Sequence, residues 1–307
     1  MNLQAAYLEY LADCKARQLK PASIRFYRTH VGALVRFLLA RGVDDVLGLD
    51  RRALRAFYVS LADRDLAQAT LAAYDRAVRA FVRFCLDERE LEVDPLNGRR
   101  RVRSGRPLPD TWTLDEVAAL LATCAPDPVG LRDRALMCLL LDTGLRAGEV
   151  VALALDDLTL NGQRGRCVVR AEGSKSDQDR TVYLYADTVN ALRAWLDVRP
   201  AEARTVFVAL DGRASLSTRP LTPNGLNQLI RRRVVLAGVP MKHKLCHIWR
   251  HTFAKLYVRA GGDLETLRRL LGHMSLETTR VYLGFRDREV AERHWALSPV
   301  RQLAMTR

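Results

Sequence analysis

Several polar residues in the C-terminal part of the chain have types and spacings suited to chemistry on a phosphodiester. His247 and Arg250 lie three residues apart, and Tyr282 follows His273 by nine residues. Far upstream, Arg146 supplies a second arginine. Guanidinium groups offer forked donors to phosphate oxygens, and an imidazole can donate to a further oxygen. A phenol held beside such positive charge could lose its proton and attack phosphorus. These residues therefore predict covalent DNA chemistry.

Each of these residues, taken alone, has a simpler interpretation. Residues three and four apart share a helix face, so His247, Arg250 and His251 can point the same way, but such polar faces are often only solvated. An isolated tyrosine such as Tyr282 is usually a buried core residue. The two histidines four residues apart lack the glutamate of a His-Glu-x-x-His zinc motif. We therefore predict no metal and no cofactor.

The charge of the chain favours a polyanionic partner. The 307 residues carry a net charge of +14, and residues 1–107 hold 20 Lys and Arg against 13 Asp and Glu. Because both halves of the chain are basic, a single localisation tail does not explain the charge. Two surfaces that face the same nucleic acid are the better interpretation.

The cysteines and the apolar runs indicate a cytoplasmic protein. The six cysteines are scattered without a Cys-x-x-Cys pair, which favours reduced thiols. The first residues show neither the basic segment nor the apolar block of a secretion signal. Apolar runs fall short of the roughly 18 residues that span a bilayer, so we expect no membrane partner.

Apolar residues in the first ninety positions recur at three- and four-residue steps, which is typical of amphipathic helices. One stripe includes Leu34 and Leu38, with Pro21 at its start, where a missing N–H has no cost. Another runs from Leu71 to Cys85. We predict a small all-α bundle, with helices near residues 3–17, 22–40, 50–61 and 71–87.

A basic linker is predicted to follow this bundle. Gly98 and Pro107 interrupt regular structure, and the five arginines between them repel one another into an extended conformation. The predicted domains are residues 1–97 and 110–307, joined by residues 98–109. The segment could be a simple solvated tether. Because both neighbouring domains are basic, we favour a linker that follows DNA phosphates.

The second domain is predicted to combine helices with a β-hairpin. Val- and Tyr-rich runs at residues 166–170 and 180–185 flank a segment that contains Gly173 and Asp177. The helices are placed near residues 113–125, 131–142 and 223–237, the last with Thr222-Pro223 at its start. The predicted fold class is therefore mainly α, with a helical bundle followed by an α+β domain that contains a small sheet.

Together, these motifs resemble the signature of the tyrosine recombinases, which form the phage-integrase family. The matching motifs are Thr143-Gly144-Leu145-Arg146 with Glu149, His247-x-x-Arg250 with His251-Thr252-Phe253-Ala254, Leu271-Gly272-His273, and Tyr282. The helical N-terminal part is similar to the SAM-like DNA-binding domain of Xer-type recombinases and integrases. The resemblance thus covers almost the whole chain.

The family also places a catalytic lysine in a β-hairpin turn, commonly within Gly-Lys-Gly-Asn-Lys-Glu-Arg. The corresponding stretch here is Gly173-Ser174-Lys175-Ser176-Asp177-Gln178-Asp179-Arg180. Aligning Asp179-Arg180 with the closing acidic residue and arginine puts Lys175 at the catalytic position. Serines replace the two glycines that usually flank this lysine.

The resemblance implies the catalytic residues Arg146, Lys175, His247, Arg250, His273 and Tyr282. The tyrosine would form a 3′-phosphotyrosyl bond and release a 5′-hydroxyl, while the arginines stabilise charge on the pentacoordinate phosphorus. Lys175 would protonate the departing oxygen. Glu149 and His251 are expected to brace this site, and the reaction would need no divalent ion.

Basic residues in both domains are expected to bind double-stranded DNA. They are Arg25, Arg28, Arg51, Arg52, Arg99, Arg100, Arg101, Arg103, Arg106, Arg231, Arg232, Lys242 and Lys244. The resemblance implies a homotetramer on two synapsed sites, built from a chain that can be monomeric in solution. It also implies an accessory directionality or DNA-bending protein, and a place at the bacterial nucleoid.

The tail after Tyr282 has helical character at residues 286–296. In the family such a helix often docks on a neighbouring protomer, and docking on its own domain is the alternative. Two further functions remain open at this point. A type IB topoisomerase would share the catalytic residues without pairing two sites, and a DNA-binding protein of the same fold would have no activity.

Overall fold

The computed structural model describes residues 1–102, 109–171, 179–211, 215–272, 275–276 and 279. The chain divides into two compact units, Met1–Pro107 and Leu108–Arg307. Among the described residues, no helix has both the length and the apolar character needed to cross a membrane.

The described residues of the first unit form four α-helices, as predicted. They are α1 (Leu3–Ala16), α2 (Pro21–Leu39), α3 (Arg51–Ala62) and α4 (Gln68–Asp87). Two of their starts are capped by side chains: Asn2 accepts the backbone N–H of Gln4, and Asp50 accepts that of Ala53 at 2.7 Å. Pro21 occupies the first turn of α2, which confirms the predicted start.

The predicted apolar stripes of α2 and α4 form the core of this unit. Leu34 and Leu38 from α2, and Val78 and Phe81 from α4, are fully buried. Tyr10 of α1 contacts the ring of Phe81 edge-on, with centroids 5.6 Å apart. Each buried side chain of this size contributes about 1.5–3 kcal/mol to folding. These contacts explain why the bundle follows the sequence periodicity so closely.

The described part of the predicted linker packs against helices α3 and α4 of the same unit. The carboxylate of Asp75 is buried, and it accepts hydrogen bonds from the hydroxyl of Tyr58 at 2.8 Å and from the backbone N–H of Val102 at 3.2 Å. Arg79 donates to the carbonyl oxygen of Arg99 at 3.0 Å, and the Arg99 guanidinium lies 3.6 Å from the Tyr58 ring centroid. A buried carboxylate requires donors, and the chain up to residue 102 supplies some of them.

The described residues of the second unit form the helices α5 (Leu114–Ala122), α6 (Pro128–Thr143), α7 (Ala147–Ala152), α8 (Ala186–Leu196), α9 (Pro223–Leu236), α10 (Leu245–Arg259) and α11 (Leu264–Leu271). Of these, α5, α6 and α9 confirm the predicted helices, with shifted ends. Thr113 and Glu116 form a reciprocal capping box at the start of α5. Thr222 caps α9 by accepting the N–H of Gly225 at 3.0 Å, as its sequence predicted.

The described residues of this unit also form two small antiparallel sheets. The strands of the first, in the order β1–β2–β3, are Leu158–Asn161, Arg164–Val169 and Arg180–Leu184. Its β2–β3 pair, in which Val169 lies opposite Arg180, confirms the predicted hairpin. The second sheet pairs β4 (Val208–Leu210) with β5 (Leu216–Pro220). The sequence did not predict β1, β4 or β5.

The core of the second unit surrounds α6. Leu136 and Leu140 of this helix are fully buried, together with Trp195 of α8, Trp249 of α10 and Phe207. Helix α6 contacts both α8 and α10. The helix is therefore held firmly on several sides, and the residues that follow its C-terminus are fixed in place.

Candidate active site

A sharp turn at the end of α6 positions Arg146. Gly144 ends the helix in the left-handed conformation, with φ +61°. A Cβ added there would lie 2.5 Å from the Phe253 ring and 2.9 Å from a methyl group of Leu271. Glycine is thus required both for the backbone conformation and for the close approach of α10 and α11. Arg146 follows two residues later as the residue before α7.

Glu149 holds Arg146 from the first turn of α7. Its carboxylate accepts the backbone N–H of Arg146 at 2.8 Å and the Nη1 of the same residue at 2.9 Å. The Arg146 side chain keeps 22% of its surface exposed, whereas that of Glu149 is almost completely buried. The guanidinium therefore stands between a buried carboxylate and solvent.

Helix α10 presents His247, Arg250 and His251 from one helix face. Arg250 is buried at 4% exposure, whereas His247 is exposed and His251 is half-buried. The rings of the two histidines are 6.4 Å apart, measured between centroids. The predicted helix face is therefore present, with the arginine at its buried side.

Arg250 connects the two turns that flank the site. It donates from Nη1 to the carbonyl oxygen of Gly144 at 2.8 Å and from Nη2 to that of Leu271 at 2.6 Å. These two carbonyls lie 127 residues apart in the chain. Gly144 directly follows α6, and Leu271 is the last residue of α11. Arg146 reaches the second turn as well, from Nη2 to the carbonyl oxygen of Gly272 at 3.4 Å. The guanidinium groups of Arg146 and Arg250 thus meet at the turn after α11.

The environment of His251 keeps its ring neutral near neutral pH. Burial, followed by the positive charges of His247, Arg250 and Lys244, lowers the pKa of His251 to about 4. A neutral imidazole can accept as well as donate a hydrogen bond. His251 is therefore suited to bracing its neighbours, and the exposed His247 is the better placed of the two to reach a ligand.

Arg180, at the start of β3, also belongs to this cluster, and sequence reasoning did not assign it a role. It donates from Nη1 and Nη2 to the two carboxylate oxygens of Glu149, at 3.0 and 2.7 Å. Burial acts to raise the pKa of Glu149, but the hydrogen bonds and charges of Arg180 and Arg146 outweigh it and lower the pKa to about 2. The only sequence signal was its position after Asp179 at the end of the hairpin.

Three of the predicted catalytic residues, Lys175, His273 and Tyr282, lie outside the described residues. The same is true of two predicted DNA-binding arginines, Arg103 and Arg106, and of the predicted terminal helix at residues 286–296. The site that the structure describes is therefore the Arg146, Glu149, Arg180, His247, Arg250 and His251 cluster.

Most of the predicted DNA-binding residues that the structure describes lie on open surface. The exposed ones are Arg25, Arg28, Arg51, Arg52, Arg99, Arg100, Arg101, Arg231, Arg232 and Lys244. In the first unit, Arg51, Arg55 and Arg99 line a cleft of about 280 Å³ beside Tyr58. Such a cleft presents several guanidinium groups to one ligand.

Lys242 is placed differently from the other predicted DNA-binding residues. Its ammonium donates to the carbonyl oxygen of Thr111 at 2.8 Å and to the Glu116 carboxylate at 2.7 Å. It also lies 4.4 Å from the centroid of the Trp112 ring. The side chain keeps only 16% of its surface exposed. The Lys242 ammonium therefore stabilises the segment before α5 through its contact with Thr111.

Two family models match the chain. The phage integrase family matches residues 111–289, and the N-terminal SAM-like domain of phage integrases matches residues 5–89. The chain is 31% identical to the tyrosine recombinase XerC of Xanthomonas campestris pv. campestris (strain B100), over 92% of this chain and 84% of that protein. It is 32% identical to XerC of Pseudomonas aeruginosa, over 90% and 88% of the two chains.

Solved structures have the same fold. A XerH site-specific recombinase in a pre-cleavage complex with difH substrate has a TM-score of 0.69 and 23% identity, covering 94% of this chain and 83% of that one. A lambda integrase fragment bound as a dimer to a COC′ core site has a TM-score of 0.73 and 18% identity, covering 91% and 97%. The matches confirm the predicted mainly helical fold, and the chain belongs to the phage integrase family as a tyrosine-type site-specific DNA recombinase.

Proposed function

We propose that Tyr282 is the nucleophile with which this recombinase exchanges strands between two DNA sites. Its phenolic oxygen would form a bond to the scissile phosphorus while the bond from phosphorus to the 5′ oxygen breaks. The products are a 3′-phosphotyrosyl ester and a free 5′-hydroxyl. The ester retains the energy of the broken bond, so the 5′-hydroxyl of another strand can attack it and release the tyrosine. The reaction consumes no nucleotide cofactor.

The observation that carries this proposal is the convergence of Arg146 and Arg250. Both guanidinium groups reach the turn at Leu271 and Gly272, and Arg250 also holds the turn at Gly144. A guanidinium has five N–H donors, enough to bind a carbonyl oxygen and a phosphate oxygen together. Two positive charges at one phosphate stabilise the charge that accumulates on its oxygens in the transition state. Because both side chains are anchored, they need little reorganisation when the reaction occurs.

The histidines and Lys175 supply the proton transfers in this proposal. His247, exposed on the same helix face as Arg250, donates to a phosphate oxygen and takes the phenol proton, while His273 adds a hydrogen bond. Lys175 protonates the departing 5′ oxygen, which would otherwise leave as a strongly basic alkoxide. His251 and Glu149 brace the cluster, which agrees with the half-buried, neutral ring of the one and the buried carboxylate of the other.

Duplex DNA is the substrate in this proposal, and both units bind it. The curated relatives are recombinases by name, and exposed arginines in each unit offer charge to phosphates. The first unit, residues 1–97 with the following basic segment to 109, contributes Arg25, Arg28 and the Arg51, Arg55 and Arg99 cleft. The catalytic domain, residues 110–307, contributes Arg231, Arg232 and Lys244. Phosphate contacts of this kind set the register of the protein on DNA.

The active assembly in this proposal is a homotetramer on two synapsed sites, with the terminal helix of residues 286–296 docked on the neighbouring protomer. The protein acts at the bacterial nucleoid, and an accessory DNA-bending or directionality protein sets the outcome. Family membership supports these proposed features, and each can be tested separately from cleavage.

The test of the proposed function begins with the target DNA. Sequencing the DNA that stays attached to the wild-type chain after denaturation yields the target site. Tyr282→Phe is expected to bind this duplex with the wild-type affinity and to form no covalent adduct on a denaturing gel. An adduct that persists in this variant would show that another residue is the nucleophile.

A second experiment separates recombination from topoisomerase activity. Supercoiled plasmids that carry zero, one or two copies of the target site are incubated with the protein. We expect exchange products only from plasmids with two sites. Relaxation of every plasmid without exchange would favour a topoisomerase, and binding without cleavage would favour a protein with no activity.

A further inference from the structure

We infer that Arg180 is a positioning residue for Arg146. It binds the carboxylate of Glu149 and offsets its negative charge, so that the Arg146 guanidinium still attracts the scissile phosphate. The inference rests on the proposed function, because it assigns Arg180 a role in the same cleavage step. Arg180 itself is not proposed to touch DNA.

The geometry shows a carboxylate shared between two arginines. Arg180 approaches Glu149 end-on, with its Nη1 and Nη2 each donating to a different carboxylate oxygen, at 3.0 and 2.7 Å. Arg146 Nη1 donates to the first of these oxygens at 2.9 Å. The Arg180 side chain is only 9% exposed, compared with 22% for Arg146. The more buried arginine thus makes the fork-to-fork pair, and the more exposed one makes a single side-chain contact.

Charge explains why this arrangement matters for a phosphate. The three side chains together carry a net charge of +1. Without Arg180, the charges of Glu149 and Arg146 would sum to zero, which would weaken the attraction of Arg146 for an incoming phosphate. Charges at hydrogen-bond distance interact strongly when they are shielded from water, so the effect on the transition state is larger than for a surface pair. The low pKa of Glu149 agrees with a carboxylate held between two cations.

Arg180 has a second anchor, which fixes the direction of its fork. Its Nε donates to the carbonyl oxygen of Leu270 at 2.9 Å. A Cβ added to Gly272 would lie 3.0 Å from its guanidinium, so the turn after α11 passes directly against it. Arg146 donates to the carbonyl oxygen of the same Gly272. Arg180 therefore connects β3 with Glu149 and with the turn after α11.

The experiment compares cleavage with DNA binding in a charge-matched set of variants of the full chain. Arg180→Met removes the shared cation, and the double variant Arg180→Met with Glu149→Gln removes the carboxylate as well and restores the net charge of +1. Glutamine can still accept the backbone N–H of Arg146, as capping boxes with glutamine do. Arg166→Met is the control, because Arg166 lies in the neighbouring strand β2, is exposed, and donates to Thr159 at 3.5 Å.

The readouts are the single-turnover rate of covalent adduct formation and the Kd for a target duplex recovered from the wild-type chain. Arg180→Met is expected to cleave about tenfold to a hundredfold more slowly, with a Kd close to that of the wild type. The double variant is expected to regain most of the lost rate, and Arg166→Met to cleave like the wild type. A purely structural role for Arg180 predicts no recovery in the double variant.

Two results would overturn the inference: a wild-type rate in Arg180→Met, or a folded double variant no faster than Arg180→Met. If Arg180→Met does not fold, as judged by circular dichroism, then Arg180→Lys and the double variant decide, since both keep the net charge of +1. A rate more than about a hundredfold below the wild type in both of these folded variants would reject the inference. Failure of the proposed function itself would appear differently, as the absence of any covalent adduct with the wild-type chain.

Discussion

Arg250 donates a 2.8 Å hydrogen bond to the carbonyl oxygen of Gly144, across 106 residues of sequence. This bond joins the face of α10 that carries His247 and Arg250 to the turn that leads into Arg146. The other end of the same guanidinium holds Leu271, directly before Gly272. One buried side chain therefore sets the distance between the two turns of the site, and a phosphate bound there would meet an arrangement that is already formed.

Arg250→Ala is predicted to reduce the cleavage rate by about a hundredfold or more, because it removes both the charge at the phosphate and the support of the two turns. Binding of target DNA is expected to change much less, since many other exposed arginines are proposed to contact phosphates. The measurement is the single-turnover rate of adduct formation next to a filter-binding Kd. Arg259→Ala, at the end of the same helix, is the control. A wild-type cleavage rate in Arg250→Ala would refute the proposed role.

Gly144→Ala is predicted to destabilise the second unit by about 2–5 kcal/mol, from the left-handed backbone and from the clash with Phe253 and Leu271. Gly238→Ala is the matched control, because Gly238 has φ +64° with no atom within 4 Å of the added Cβ. That variant is expected to lose only about 1–2 kcal/mol. Urea unfolding of both variants measures the difference. Equal losses would mean that the close packing at Gly144 is unimportant.

The sequence predicted those parts of the fold that depend on local periodicity. The stripes around Leu34 and Phe81 follow helix spacing, and the observed helices agree with the predicted ones within a few residues. The strands β4 and β5 were missed because they have only three and five residues, and their pairing depends on contacts between distant segments. Short strands of this kind have no periodic signal of their own.

The candidate site was predictable in residue type but not in its connections. Motif order alone pointed to Arg146 and Arg250. The contacts of Arg180 could not be read from the sequence, because its partners Glu149 and Leu270 lie 31 and 90 residues away. The partly buried ion pair between Lys242 and Glu116 was missed for the same reason, since a basic residue in a basic chain gives no sign of a partner 126 residues away.

The lowered pKa of His251 predicts a specific pH dependence of stability. The folded-state pKa is about 4, below the ordinary value of 6.5, mainly because of burial. Between pH 4 and pH 6.5 the His251 ring binds a proton in the unfolded chain but not in the folded chain. The free energy of unfolding is therefore highest above pH 6.5 and decreases as the pH falls towards 4. Because the ring is only half-buried, solvent screening reduces the loss to about 1–2 kcal/mol.

Urea unfolding at pH 7.5, 6 and 5 tests this expectation by comparing the wild type with His251→Gln. The variant lacks the titrating ring, so its free energy of unfolding should fall less over this range. The carboxylate of Glu149 has a pKa of about 2, so it stabilises the folded chain fully above its ordinary pKa of 4.5 and loses this effect only at lower pH. It therefore does not explain a change in the free energy of unfolding above pH 4.5. Identical pH profiles for the two proteins would contradict the assignment to His251.

Asp75→Asn is predicted to release the segment of residues 99–102 from the first unit. The two oxygens of the buried carboxylate accept hydrogen bonds from Tyr58, Arg79 and Val102. An amide has an NH2 group in place of one oxygen, so at least one of these three donors would lose its acceptor. Burial and the nearby Asp75 raise the pKa of Tyr58, which keeps its hydroxyl protonated as a donor. Limited trypsin digestion with mass spectrometry should show faster cleavage after Arg99, Arg100 and Arg101.

Asp87→Asn provides the control on the same helix, since Asp87 pairs with Arg83 on the surface, with more than half of its side chain exposed. Its cleavage pattern should match the wild type, because an exposed pair of this kind contributes only about 0–1 kcal/mol. If Asp75→Asn and Asp87→Asn were cut at the same rate after Arg99, the hydrogen bonds of Asp75 would not be what holds the segment. The contact between the Arg99 guanidinium and the Tyr58 ring, at 3.6 Å, would then be the stronger attachment.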